Sequence, residues 1–288
     1  MKDRRAHIQQ LASEHRVTML CALLDVARSG YYAWRDGKNP RQKEDARLSQ
    51  EVEAVFVEKR RTYGRIRLTR ELRARGHLCG ERRVGRLMRA KDLHARPRRA
   101  FRPQTTDSRH DGPVAPNRLA ERPAPPSRPN EVWVTDFTFI PTREGWLFLA
   151  VVLDLYSRRV VGWAFGSELT ATLARAALQM ALQHRQPRAG LLHHSDRGSQ
   201  YASAEYRALL ATHDLVASMS RTGNPYDNAA MESFYSTLKI ECLHRHELAT
   251  RAEAQAVAFD YIEAFYNRER IHSALGYKSP VDFEQQLN

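Results

Sequence analysis

The sequence predicts an α/β protein in which a mixed β-sheet flanked by helices follows an all-α region. Up to about residue 100, apolar residues recur at the three- and four-residue spacing of helices. Beyond residue 131, three β-branched and aromatic runs come in succession, and helix-like and strand-like segments then alternate. A proline-rich stretch separates the two patterns and indicates a domain boundary.

The pattern of residues 1–40 predicts a small helical segment with one break. Met19, Leu20 and Leu23 follow helical spacing, and Ser29-Gly30 is expected to stop the helix before an aromatic group. This arrangement is typical of half of a helix-turn-helix, and equally of two small helices that simply pack together.

Residues 41–100 predict three helices, the last of them strongly basic. The first buries one apolar face (Leu48, Val52, Val55 and Phe56), and the second ends with Gly76 as its C-terminal cap. The third buries Val84, Leu87 and Met88 and is otherwise covered by four arginines, namely Arg82, Arg83, Arg86 and Arg89. A basic last helix is typical of a helix-turn-helix domain that binds DNA, the alternative being a solvated basic face.

The rest of the chain divides into a linker and a second domain. Residues 101–130 hold seven of the 13 prolines and predict an extended linker. Residues 131–288 predict three successive strands, then alternating helices and strands, and a helical tail. That order is consistent with a ribonuclease-H-like core.

Charge is distributed unevenly along the 288 residues. The chain carries a net charge of +13, of which residues 1–130 contribute +16 and the remainder −3. A basic half of this size favours a polyanionic partner. The three cysteines form no CxxC pair, and no apolar stretch is long enough for a membrane span or a signal peptide. We therefore expect a soluble, reduced, cytoplasmic protein.

Three carboxylates are the most informative side chains. Asp136 and Asp196 each follow a strand-like run, and Glu232 lies on a helix-like segment with 35 residues between it and Asp196. Buried carboxylates are costly unless they are paired. Grouped in space, the three would bind two hard divalent cations, an arrangement suited to in-line phosphoryl displacement.

Several motifs in order resemble one family. TYGRIRLTRELRARGHLCGERRVGRLMRAKDL is similar to the family's helix-turn-helix segment, and WVTDFTFI, VVLDLYSRRVVGW, HHSDRGSQYAS and GNPYDNAAMESFYSTLKIE are similar to its catalytic motifs. YNRERIHSALGYKSPVDF resembles its C-terminal signature. The chain thus resembles bacterial insertion-sequence transposases of family three, whose second reading frame encodes a retroviral-integrase-like catalytic core with a DDE triad.

The resemblance implies roles for particular residues. Asp136, Asp196 and Glu232 would be the catalytic and metal-binding triad, with two Mg²⁺ or Mn²⁺ ions per site. Lys239, seven residues beyond Glu232, matches a basic position next to the triad and would hold a DNA phosphate, although a plain surface lysine is the alternative. The loop with Arg221, Asn224 and Tyr226 would contact the cleaved strand, or would be a simple turn.

The predicted function is a transposase that cleaves DNA at terminal inverted repeats and joins the exposed 3′-hydroxyl to another phosphodiester. The family also implies a homo-oligomer on paired ends, nucleoid association when DNA is bound, and a frameshift fusion with an upstream-frame protein. Two rival functions stay open at this point. A ribonuclease-H-like nuclease shares the acidic cluster, and a non-catalytic sequence-specific regulator shares the basic half.

Overall fold

The computed structural model describes residues 2–36, 40–95, 113–220 and 229–286. The chain forms two compact units, residues 1–95 and 96–288. Within the described ranges, no helix is both long and apolar enough to cross a membrane.

The first unit begins with three short helices, α1 (Lys2–Leu11), α2 (Val17–Leu23) and α3 (Arg28–Arg35). They enclose a small core of four buried side chains, Ile8, Leu20, Cys21 and Tyr31. The predicted break at Ser29-Gly30 is wrong, because both residues lie inside α3 and the chain turns between α2 and α3 instead. The helix continues through Gly30 because its neighbour Tyr31 is buried against Ile8 of α1 and Leu20 of α2, and this packing outweighs the low helix propensity of glycine.

Three further helices follow in the first unit, α4 (Pro40–Glu58), α5 (Arg65–Ala74) and α6 (Glu81–Ala90). The predicted apolar faces are confirmed, since all their members are buried. Gly76 has a φ of +87° just beyond α5, and the neighbouring His77 N–H donates to the Leu72 carbonyl at 2.9 Å. Glycine is suited to this left-handed position at a helix end.

The second unit is built on a five-stranded sheet. Its strands are β1 (Val132–Thr142), β2 (Gly145–Asp154), β3 (Val160–Gly166), β4 (Leu192–Ser195) and β5 (Val216–Met219). Their order is β3-β2-β1-β4-β5, with antiparallel pairing of β1–β2 and β2–β3 and parallel pairing of β1–β4 and β4–β5. The predicted mixed sheet with flanking helices is confirmed.

Helices α7 (Ala171–Arg185), α8 (Ser199–Ala202) and α9 (Ala204–Thr212) connect these strands. Together with Trp133, Ala150 and Val152 of the sheet they form one apolar core. The contact between α7 and β3 is close, since a Cβ on Gly162 would lie 2.2 Å from the Ala177 carbonyl oxygen. Glycine at this position therefore lets the helix backbone lie directly on the strand.

The C-terminal part consists of helices α10 (Ala229–Glu241), α11 (Arg251–Asp260) and α12 (Pro280–Gln285), with a π-helical turn at Tyr261–Tyr266 directly after α11. The predicted helix-like segment around Glu232 is confirmed as α10. Contacts of α10 with β1 and of α11 with both β1 and β2 place these helices against the strands of the long hairpin. The residues of α10 are thereby brought beside β1.

Candidate active site

Asp136 lies in β1, and Asp196 directly follows the neighbouring parallel strand β4. Val132 of β1 pairs with Leu192 of β4, and Val134 pairs with His194. Continued by two residues, this register sets Asp136 opposite Asp196, just where β4 ends. Both side chains are partly exposed. Since a parallel sheet exposes its binding crevice at the carboxyl ends of its strands, the pair occupies a site that a ligand can reach.

Backbone N–H groups orient both carboxylates. Oδ1 of Asp136 accepts a hydrogen bond from the Phe137 N–H at 2.8 Å, and Oδ1 of Asp196 accepts one from the Gly198 N–H at 2.9 Å. A Cβ on Gly198 would lie 3.0 Å from Oδ1 of Asp196. A side chain at position 198 would therefore crowd the Asp196 carboxylate, which accepts its hydrogen bond from the N–H of the same residue.

Two buried tyrosines adjoin the aspartate pair. Burial raises the pKa of Tyr201 and of Tyr235 well above the usual value, and the charges of Asp136 and Asp196 raise both further. The Tyr235 hydroxyl donates to the Asp136 carbonyl oxygen at 2.5 Å. The Tyr201 hydroxyl is buried and has no hydrogen-bond partner among the residues that the structure describes. The two phenols thus belong to the environment of the carboxylates.

Glu232 is placed differently from the two aspartates. It is exposed in the first turn of α10, directly after residues 221–228, which lie outside the described ranges. Tyr235, one helical turn further along α10, reaches the main chain of Asp136. Across the described stretches, no group of three or more histidine, cysteine, aspartate or glutamate side chains lies close enough to hold one metal ion. The structure therefore shows Asp136 and Asp196 at adjacent positions of the sheet, and Glu232 on α10, the helix that contacts β1.

The donor chemistry of the pair fits a hard divalent cation. Two adjacent carboxylates supply the oxygen ligands that Mg²⁺ and Mn²⁺ prefer. The buried Tyr201 hydroxyl lies beside the two carboxylates and has no hydrogen-bond partner among the described residues. Water or a metal-bound ligand could supply that hydrogen bond. Asp136 and Asp196 are therefore the residues best placed to hold a metal.

Lys239 lies on α10 near the same strand. Its Nζ is 4.9 Å from the centroid of the Phe139 ring. Burial lowers the pKa of Lys239, and the charge of Asp136 acts in the opposite direction. The half-buried ammonium is thus within electrostatic reach of the aspartate pair.

The four arginines of α6 fall into two pairs. Arg83 and Arg86 bind the Asp45 carboxylate of α4 at 2.7 and 2.5 Å, and Arg83 also lies 3.4 Å from Glu44. Burial alone would raise the pKa of Asp45, but hydrogen bonds from Arg86 and Arg83 lower it. Arg82 and Arg89 are exposed, and Arg89 bonds only locally to the Gly85 carbonyl. Sequence reasoning missed this division because the partner carboxylates lie some 40 positions away.

Other candidates prove to be structural or fall outside the described residues. His193 bonds with the Tyr206 hydroxyl at 3.1 Å, and burial lowers its pKa to about 3. His194 bonds with the Ser218 hydroxyl at 2.9 Å. Both histidines are buried core residues. The predicted DNA contacts Arg221, Asn224 and Tyr226 lie outside the described ranges.

Sequence reasoning also missed Tyr201 and Tyr235. Each follows a predicted catalytic acid at a short interval, Tyr201 five residues after Asp196 and Tyr235 three residues after Glu232. The three-residue interval places Tyr235 one turn along a predicted helix from Glu232, a signal that was available in the sequence. No comparable periodicity points to Tyr201, because a turn separates it from Asp196.

Family models match most of the chain. Residues 126–225 and 213–280 match two models described as integrase core domains, and residues 43–101 match an HTH-like domain. The matched ranges coincide with the sheet-containing unit and with α4–α6.

Curated relatives extend over nearly the whole chain. It is 46% identical over 270 residues to an uncharacterized 31 kDa protein of insertion element IS600 from Shigella sonnei, covering 93% of this chain and 98% of the relative. It is 42% identical over 282 residues to transposase InsF for insertion sequence IS3A from Escherichia coli (strain K12), covering 97% of each.

Similar solved structures are viral integrases. One is a chain of the simian T-cell lymphotropic virus intasome in complex with PP2A regulatory subunit B56 gamma, at TM-score 0.48 and 16% identity over 77% of this chain and 70% of that one. Another is the catalytic core domain of HTLV-2 integrase in complex with magnesium, at TM-score 0.44 and 15% identity over 55% of this chain and 97% of that one.

Proposed function

The chain belongs to the IS3 family of insertion-sequence transposases, and we propose that it cleaves DNA at terminal inverted repeats and joins the exposed 3′-hydroxyl to another phosphodiester. Membership of this family makes it a bacterial transposase and a polynucleotidyl transferase. The observation that carries the finer proposal is the parallel pairing of β1 with β4, which sets Asp136 and Asp196 side by side.

The proposed cofactor is Mg²⁺ or Mn²⁺, two ions per site, with Asp136, Asp196 and Glu232 as ligands. Bound ions would supply the charge that activates a hydroxyl nucleophile and stabilises the leaving oxygen. The aspartates are supported as ligands by their adjacency. Glu232 is supported by its helix, since α10 reaches the Asp136 main chain one turn beyond it.

This chain's own residues would orient the DNA. Lys239 would bind a phosphate next to the reacting one, a role supported by its half-buried charge near Asp136. The loop with Arg221, Asn224 and Tyr226 would contact the cleaved strand. In the first unit, Arg82 and Arg89 are exposed on α6 and would contact the duplex, while Arg83 and the exposed Arg86 bind Asp45.

The partner DNA would be the element's own ends and a target duplex. The HTH-like match and the basic first 130 residues support DNA binding by the N-terminal part. A homo-oligomer on paired ends and a fusion with an upstream-frame protein stay predictions from the family.

A strand-transfer assay tests the proposal. Labelled DNA carrying the element's ends is incubated with Mg²⁺ or Mn²⁺ and with wild type, Glu232→Gln or the control Glu205→Gln, whose carboxylate is exposed in the first turn of α9. We expect joined product with wild type and with the control, and none with Glu232→Gln. Joining by a folded Glu232→Gln variant contradicts the role of Glu232, and cleavage without joining favours a nuclease. Protection of the DNA ends without cleavage favours a regulator.

A further inference from the structure

Near the turn of the β1–β2 hairpin, two aromatic rings and a lysine form one surface cluster. The rings of Phe139 and Trp146 meet edge to face with centroids 4.9 Å apart, and Nζ of Lys239 lies 4.9 Å from the Phe139 centroid. Trp146 remains 50% exposed. Exposed aromatic rings beside a cation are the combination with which proteins stack nucleic-acid bases. We call these three residues the aromatic–lysine cluster.

The hairpin backbone beneath Trp146 is held in place by the segment that leads into α11. The Arg143 N–H donates to the Leu248 carbonyl at 3.2 Å. The Arg251 N–H donates to Oε2 of Glu144 at 2.8 Å, and Nε of Arg251 donates to the Trp146 carbonyl at 3.0 Å. Because the backbone is fixed, the Trp146 ring is presented to solvent with little freedom left to lose on binding.

Lys239 supplies an unsatisfied charge in this cluster. The ammonium is half-buried and lies over the Phe139 ring, and none of the ion pairs found among the described residues includes it. The charge of Asp136 acts on it from a distance, while burial disfavours its charged form. Burying a cation without a contacting anion costs free energy. We therefore expect an anion to bind next to the Lys239 ammonium. A DNA phosphate supplies that anion.

The cluster lies close to the aspartate pair. Phe139 is three residues from Asp136 on β1, about 10 Å along the strand, and this odd spacing directs the two side chains to opposite faces of the strand. Lys239 connects the cluster to the acid, because it contacts the Phe139 ring and lies within electrostatic range of Asp136. Successive nucleotides of one DNA strand rise by about 3.4 Å. A base stacked on the cluster would therefore belong to a nucleotide within about three positions of the phosphate that reacts at Asp136.

We propose that the aromatic–lysine cluster binds one unstacked base of the DNA strand that is cut and joined, with Trp146 stacking the base and Lys239 holding the adjacent phosphate. The occupant is a nucleotide at the element's end, displaced from its duplex. This inference rests on the proposed function and extends it by naming a base-binding site beside the catalytic acids.

Photocrosslinking tests where the base lies. Single 5-iododeoxyuridines are placed at successive positions of the element's end and irradiated in complex with the full chain carrying Glu232→Gln, so that no turnover is required. Crosslinked residues are mapped by mass spectrometry. We expect crosslinks to Trp146 or Phe139 from the three nucleotides nearest the reacting phosphate. Crosslinks from distant positions only, or none to either ring, would overturn the inference.

Joining by three variants with an intact triad provides the second measurement. Trp146→Ala should slow joining roughly tenfold, the size of effect that loss of one base–aromatic stack gives, whereas Trp146→Phe should remain within about threefold of wild type. The control Phe259→Ala removes a ring that is 47% exposed on α11 and should join like wild type.

Equal joining by wild type and Trp146→Ala would contradict base binding by the aromatic–lysine cluster but would leave the proposed function intact. No joining by wild type challenges the function, and the crosslinks still test the base. If Trp146→Ala does not fold, the crosslink positions decide.

Discussion

Two aspartates of the sheet have opposite surroundings. Asp154 is fully buried and accepts three backbone N–H groups, from Asn130 at 2.6 Å and from Tyr156 and Ser157 at 2.9 Å. Asp136 is partly exposed and lies beside a second carboxylate, Asp196. A carboxylate enclosed by N–H donors stabilises a turn, whereas two adjacent carboxylates repel each other until a cation joins them. The same residue type therefore has a structural role at 154 and a proposed chemical role at 136.

The substitution Asp136→Asn should abolish cleavage and joining. It removes one anionic ligand and relieves the repulsion with Asp196, so the melting temperature should stay equal or rise. Duplex binding should change little, because most of the basic residues lie in the first 130 positions. Calorimetry, fluorescence anisotropy and the strand-transfer assay measure the three properties. Metal-dependent joining by the folded variant would contradict the role of Asp136.

The matched change Asp154→Asn should have the opposite effect. Burial raises the pKa of Asp154, so the loss of its charge is not in itself destabilising. An asparagine keeps the shape but puts an NH2 group, which cannot accept, in the place of one carboxylate oxygen that accepts backbone N–H groups, so the free energy of unfolding should fall by about 2 kcal/mol. Denaturant titration gives this value. Joining per folded molecule should stay near that of wild type. An unchanged free energy of unfolding would show that the hydrogen bonds accepted by Asp154 do not contribute to stability.

Tyr235 links the helix of Glu232 to the strand of Asp136. The change Tyr235→Phe keeps the buried ring and removes the hydrogen bond to the Asp136 carbonyl, so it should cost about 1 kcal/mol of stability. We expect the joining rate at saturating DNA to fall more than this stability loss explains. The control Tyr206→Phe removes a buried hydroxyl that bonds His193 instead. Equal joining rates in the two variants would assign Tyr235 to stability alone.

At the scale of elements, the arginines of α6 divide by their partners. Arg83 and Arg86 hold α6 to α4 through Asp45, while Arg82 and Arg89 extend into solvent. Charge count alone treats the four arginines as one group. Their partners separate those that stabilise the helical unit from those that are available to DNA.

Paired substitutions test this separation. Arg82→Ala with Arg89→Ala should reduce the slope of log affinity against log salt by roughly 2, because two phosphate contacts are lost, and should leave the melting temperature unchanged. Arg83→Ala with Arg86→Ala should lower the melting temperature, since Asp45 loses both partners. Salt titrations of duplex binding and thermal melting distinguish the pairs. The reverse pattern would place Arg83 and Arg86 at the DNA.

The C-terminal signature joins α10 to the rest of the second unit. Arg270 binds the Glu241 carboxylate in bidentate fashion at 2.7 and 2.8 Å, and the Tyr261 hydroxyl donates to the same carboxylate at 2.9 Å. Asn267 bonds both the N–H and the carbonyl of Val160 at 3.0 Å, so it completes the backbone pairing of β3. These contacts give Arg270 and Asn267 structural roles that could not be inferred from the sequence alone.

Breaking the Glu241–Arg270 pair should be strongly destabilising. The Arg270 side chain is only 4% exposed, so Glu241→Gln leaves a buried charge without its partner and should cost about 3–5 kcal/mol. The control Glu247→Gln breaks an exposed pair with Arg143 and should cost less than about 1 kcal/mol. Denaturant unfolding measures both. Similar small losses would mean that the C-terminal segment does not hold α10.

Elements could be predicted more reliably than contacts. Strong periodicity located the three helices α4–α6 and the five strands, because local apolar patterns largely determine which segments enter a core. The break at Ser29-Gly30 failed because packing against neighbouring helices, not the local sequence, decides whether the helix continues there. The pairing of Arg83 with Asp45, and of Asn267 with Val160, could not be predicted since each joins residues far apart in sequence. Asp136 and Asp196 were predicted as site residues from motif and strand ends, whereas the placement of Glu232 with them stays a prediction.

At the scale of the whole molecule, charge and proposed chemistry occupy different parts of the chain. Residues 1–130 carry a net charge of +16, and the remainder carries −3. Phosphate neutralisation determines salt dependence, so the affinity for DNA should depend on salt mainly through the N-terminal part. The joining step should depend instead on the carboxylates of a nearly neutral part.

Salt should therefore separate binding from joining. Between about 50 and 200 mM salt, the dissociation constant for element-end DNA should rise by at least about 100-fold, as expected when several phosphate contacts are lost. The protein is kept at a saturating concentration at each salt concentration, so that association does not limit the rate. The single-turnover joining rate should then change by less than about threefold. Anisotropy and rapid-quench kinetics give the two quantities. A joining rate that falls in parallel with affinity would place the salt-sensitive phosphate contacts at the catalytic acids themselves, with Lys239 as the first residue to test.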